Sequence, residues 1–223
     1  MTRRAVMLTV TLFALSAATL TAQPQLLPQP QMQKLANRFP PATEATLRTL
    51  VDSAHRMGIP AEPLVQRALE GASHGADPAR VVAAVRGLVN RLDVARQALG
   101  TSATEAELLA ASGALYLGIP PDTLVRLRRR HASGGLALPL VVLADMIRQG
   151  VPKDTATAVI LSLSDAGVAD ESYRALRQAV LLDIRSGVPP ATAAAMRARD
   201  VLLARAARTA GSGRPAPVRP PLD

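Results

Sequence analysis

Gly71-Ala72-Ser73-His74-Gly75 matches the G-x-S-x-G nucleophile elbow of serine hydrolases, and taken alone it names Ser73 as a nucleophile. Such an elbow works because a strand feeds a strained turn into a helix and lifts the hydroxyl clear of the chain. Here the residues before Gly71 have helical spacing. The pattern Ala-Ser-x-Gly also recurs at Ala132 to Gly135, after His131. The stretch therefore reads as repeat-loop chemistry, with glycine for the turn and Ser73 to cap, and hydrolysis by Ser73 remains only as a third alternative.

Metal and cofactor chemistry find no foothold. The three histidines, His55, His74 and His131, are too far apart in sequence for helical ligand spacing, and the chain has no cysteine. Disulfides, thiol catalysis and thiolate metal sites are excluded with it. The carboxylate pairs Glu105/Glu107 and Asp170/Glu171 fall in first helical turns, where the helix dipole favours negative charge. No phosphate-binding glycine loop or dinucleotide fingerprint occurs, so no cofactor is expected.

One charged run stands out. Arg126-Leu127-Arg128-Arg129-Arg130-His131 replaces the mixed sequence at the matching place in an earlier copy of the same segment. On a helix Arg126, Arg129 and Arg130 share one side, close to the C-terminus, where cations suit the dipole. They are the candidate binding residues, for an acidic partner or an anionic polymer or lipid headgroup. The bland counterpart is a solvated arginine face in an arginine-rich chain.

The elements that must position these residues come from a repeat. Residues 58–85 and 118–145 share Gly-Ile-Pro, Leu-Val, Ala-Ser-x-Gly and Val-Val sixty positions apart. Such a period implies supersecondary units that bury their apolar faces only against one another. Between them the punctuation is regular: proline or a capping residue opens each apolar-periodic stretch and glycine closes it. Helices are expected over 43–57, 60–71 and 77–100. A fourth follows a capping box at Ser102 to Glu105, and a fifth starts at Pro120. The sixth, near Leu138, is apolar almost all round and so central. Three more follow Gly150, Gly167 and Gly187.

The expected fold is all-α: about nine helices in two three-helix units, 43–100 and 102–149, with a degenerate third over 150–210. They form an armadillo-like superhelix or a closed orthogonal bundle. The motifs of tetratricopeptide and ankyrin repeats are absent.

The ends read differently. Met1 to Ala22 has two arginines, an apolar run too short to span a bilayer and small residues after it, the layout of a signal peptide. Residues 23–42 are a Gln/Pro-rich linker, 43–210 the helical domain, and 211–223 a Pro/Arg-rich tail without the means to form a core. Loss of the leader lowers the net charge from +9 to +7, and residues 43–210 carry 20 basic and 16 acidic residues. That excess specifies no polymer by itself. With Tyr116 and Tyr173 the only aromatic residues in the domain, stacking platforms for single-stranded nucleic acid or sugars are missing. Specific nucleic-acid binding is not expected.

These readings converge on an exported protein, periplasmic or extracellular and without a membrane span once the leader is cleaved. It is not an enzyme; it acts as a helical-repeat scaffold or adaptor of the bacterial cell envelope whose partner is another envelope protein. The second class is a peripheral binder of anionic envelope polymer or lipid through Arg126, Arg129 and Arg130.

Overall fold

The computed structural model describes residues 33–131 and 134–212. The expected signal peptide and the tail beyond Ser212 lie outside them. The described residues form nine helices and no strand: α1 (Pro41–Arg56), α2 (Glu62–Ser73), α3 (Pro78–Leu99), α4 (Glu105–Tyr116), α5 (Pro121–Arg130), α6 (Ala137–Arg148), α7 (Lys153–Asp165), α8 (Asp170–Arg185) and α9 (Pro190–Ser212). No helix among them is long and apolar enough to cross a membrane.

The turns explain why the helices stop where they do. At the end of α1, Gly58 takes φ +73°, its N–H donates to His55 O at 2.8 Å, and Ile59 N–H donates to Ala54 O at 2.9 Å. This is a Schellman motif, in which a left-handed residue satisfies carbonyls the helix would leave open. The same pair of bonds closes α4, α6, α7 and α8, each time with Ile or Val after the glycine. Ile59, Ile119, Val151 and Val168 are buried and Val188 is partly buried, so four of the five turns are also buried apolar anchors, and Pro60, Pro120 and Pro152 then prevent the old helix from continuing.

Packing runs mainly between alternate helices. α1 packs on α3, α3 on α5, α5 on α7 and α7 on α9 in one row; α4 packs on α6 and α6 on α8 in a second. The pairs α2/α3, α3/α4, α6/α7 and α8/α9 join the rows. The sixty-residue copies match α2 with α5 and α3 with α6, but three helices per copy is an odd number, so equivalent helices change rows. α3 lies between α1 and α5, whereas its counterpart α6 lies between α4 and α8. The three-helix units of the sequence are thus repeats of chain and not of packing.

Apart from Tyr173, the buried core is aliphatic. α6 is its centre as expected, with Pro139, Leu140, Val142, Leu143 and Met146 buried. Leu35 is also completely buried and Phe39 packs against the core. The C-terminal part of the expected linker 23–42 is therefore docked: Lys34 Nζ donates to Glu62 Oε1 at 2.9 Å, and Pro41 already belongs to α1. Two further expectations shift. The capping box is Thr104 with Glu107, not Ser102 with Glu105. α2 runs through Gly71 to Ser73, because Gly71 lets α3 approach: a Cβ there would lie 2.7 Å from Val81 Cγ2, and the left-handed turn falls at Gly75.

Candidate functional site

The run Arg126 to Arg130 lies on α5, whose buried side is Thr123, Leu124 and Leu127. That anchoring sends the four arginines to different fates. Arg126, Arg129 and Arg130 are exposed, as the spacing requires. Arg130 is already neutralised, with Nη1 2.7 Å from Asp165 Oδ2 on α7. Arg126 donates from Nη2 to Thr123 Oγ1 at 3.2 Å, and among the described residues Arg129 makes no ion pair. The expected patch is thus two free cations and one tied cation.

Arg128, left out of that patch, turns inward. Its Nη2 lies 3.2 Å from Glu107 Oε1, and the Glu107 side chain is only 4% exposed. Glu107 closes the capping box on α4, accepting from Thr104 N–H at 2.8 Å and Thr104 Oγ1 at 3.2 Å through Oε2. Its Oε1 accepts the buried N–H of Leu136 at 2.8 Å. Burial alone would raise this carboxyl, but the Leu136 and Thr104 N–H groups and the Arg128 guanidinium outweigh it and hold it below its usual value. One carboxylate thereby ties the start of α4, the end of α5 and the loop entering α6. The sequence signal was a glutamate three residues after a threonine; the signal for its burial lay in the fold.

His131 sits beside this group. Its Nδ1 is buried without a hydrogen-bond partner among the described residues, and its ring centroid lies 6.4 Å from that of buried Tyr173. Desolvation lowers its pKa; Asp170 pulls the other way, Arg128 adds to the lowering and Glu107 opposes it. Tyr173 shares a hydrogen bond with Ser164 Oγ at 3.0 Å, and burial pushes its hydroxyl pKa up. The group holds together four helices. Glu107 is saturated with donors and closed to solvent, so it offers no open carboxylate for proton transfer.

The elbow motif has a different geometry from a hydrolase elbow. Gly71 to Ser73 is helical, and Ser73 Oγ donates to Glu70 O of its own helix at 2.8 Å. Ser73 and His74 line separate clefts. His55, His74 and His131 stay apart, and no group of three or more metal-ligating side chains occurs among the described residues. Of the two tyrosines, Tyr173 is fully buried, while Tyr116 is 73% exposed with the Arg91 guanidinium 5.1 Å from its ring centroid.

Two adjoining open clefts form a trough across α5, α7 and α9. One cleft of about 360 Å³ is lined by the Gly118–Pro120 turn, Thr123 and Arg126 on one side and Lys153, Asp154, Thr157, Ala158 and Leu161 on the other. A second, of about 480 Å³, shares Ala158 and continues over Val159, Ser162, Ala195, Arg199, Leu202 and Leu203. Short side chains at Ala158, Ala195 and Ala198 keep the walls low, while Val159 and Leu161, both under 10% exposed, make an apolar floor. Arg126 was foreseen; Lys153 and Arg199 were not, because only the stacking of alternate helices brings them to the same trough. Comparison with protein families, with curated proteins and with solved structures finds no match to this chain.

Proposed function

We propose that the chain is an exported, non-enzymatic scaffold or adaptor of the bacterial cell envelope that binds another protein across its stacked helices. The observation that carries this reading is the trough over α5, α7 and α9, an open, apolar-floored surface shared by three successive helices of one row. Stacked-helix arrays use such extended surfaces for protein recognition, and an apolar centre with a polar rim is what protein interfaces require. The export part of the proposal rests on the leader-like residues 1–22.

The test is crosslinking capture by residues 23–223 from native envelope extract, washed at low and then high salt and read by mass spectrometry. A defined protein retained at high salt supports the scaffold. Material held only at low salt points instead to the α5 arginines and an anionic polymer or lipid. That second class is weakened by the Arg130 to Asp165 ion pair, which removes one of its three cations.

A further inference from the structure

The clefts of this molecule differ in how their charges are balanced. In the cleft between α6 and α8, Arg177 lies 2.8 Å from Asp145. In that between α2 and α3, Arg67 lies 2.7 Å from Glu70 and Arg80 is the one cation without an ion pair, and in the cleft beside Leu69 and Ser73 that place falls to Arg38 alone, among the described residues. The trough over α5, α7 and α9 carries Arg126, Lys153 and Arg199, all exposed and, among the described residues, none in an ion pair. Its only acid is Asp154.

We infer that this trough docks a short segment of a partner protein in which acidic side chains flank apolar ones. The inference rests on the protein-binding reading above and names the partner's chemistry. The cations stand on α5, α7 and α9 around an apolar floor, so the occupant must supply carboxylates at the rim and aliphatic groups at the centre. A polyanion without apolar groups leaves Ala158, Leu202 and Leu203 wet, the last of them 58% exposed. Rim charges of this kind set association rate and partner choice more than total affinity.

The test uses the whole chain and a short fluorescein-labelled peptide with glutamates flanking leucines. Controls are the same peptide with lysine for glutamate, polyglutamate of equal length, and phosphatidylglycerol vesicles. The variant is Arg126→Glu/Lys153→Glu/Arg199→Glu, at exposed positions outside the core. Arg126→Gln/Lys153→Gln/Arg199→Gln is carried beside it in case reversal disturbs folding.

The acidic peptide is expected to bind wild type, at least about tenfold weaker to the reversed variant and to an intermediate degree to the neutral one. The lysine peptide is expected to prefer the reversed variant. Equal binding of polyglutamate or of the vesicles overturns the inference in favour of a polymer or lipid ligand, as does peptide binding indifferent to both variants. The envelope capture repeated with the reversed variant separates the two claims. A partner retained by both proteins overturns the acidic-segment inference and leaves the scaffold standing; no partner with either protein removes the scaffold itself.

Discussion

Replacing Glu107 by alanine removes the one side chain that joins α4, α5 and the loop into α6, and its cost can be worked from its bonds. Loss of the capping box contributes about 1 kcal/mol. The Leu136 N–H, on a residue with no exposure, loses its acceptor, which adds about 1–3 kcal/mol. Arg128 loses its counter-charge; its side chain is 31% exposed overall, but Nε and Nη2 are buried without a hydrogen-bond partner, so part of the penalty for a broken buried pair, about 1–2 kcal/mol, is added. The sum is about 3–6 kcal/mol, or a fall in melting temperature of about 6–24 °C for a domain of this size. Urea unfolding followed by circular dichroism at 222 nm measures it. Glu107→Gln, which keeps one oxygen acceptor, should cost about 1–3 kcal/mol. Combining Glu107→Ala with Arg128→Met should recover about 1 kcal/mol relative to the sum of the single changes. Glu107→Ala within about 1 kcal/mol of wild type, with no coupling to Arg128, would refute the hub.

Three other outcomes follow from the same structure. His131 has its pKa lowered by burial from the usual 6.5, so folding favours the neutral ring. Its contribution is complete above about pH 6.5 and declines as pH falls through that value toward the folded pKa, by at most about 1.4 kcal/mol per pH unit. His131→Gln should flatten the stability profile in that window; an unchanged profile removes the role. Gly118→Ala, at φ +83°, should cost about 1–2 kcal/mol, whereas Gly113→Ala, where a Cβ meets nothing within 4 Å, should gain about 0.5–1 kcal/mol in thermal melts. Ser73→Ala should leave fluorophosphonate labelling unchanged from a wild-type level at background, and labelling that disappears in the variant would restore the hydrolase reading.

The helices were legible because glycine, a β-branched residue and usually proline mark most of their ends, and those residues do in the fold what their chemistry allows. The rows were not, since an odd number of helices per copy moves α3 and its counterpart α6 to different neighbours. Leu35 and Phe39 were hidden in a Gln/Pro-rich stretch whose composition outweighed one apolar pair at helical spacing. Glu107 looked like an ordinary first-turn acid until the loop ending at Leu136 closed over it. Spacing of three residues on a helix allows ion pairs at Asp145/Arg148 and Arg197/Asp200, which form, and at Asp93/Arg96, where Arg96 instead donates to Gly58 O at 2.7 Å, a residue 38 positions away. Arg197 also grips Asp183 of α8 through two bonds, at 2.7 and 2.8 Å, which holds α9 against the array and the Asp183 carboxyl below its usual range. The trough was invisible for the same reason as the rows: its cations come from three helices that only the packing makes neighbours.

The most direct measurement is photo-crosslinking in envelope extract from a benzoyl-phenylalanine placed at Leu203, on the trough, and at Thr49, exposed on α1. A protein-binding trough requires a defined adduct from Leu203 that survives high salt and is absent from Thr49. No adduct at Leu203, or the same adducts from both positions, would contradict the claim that this surface binds a partner.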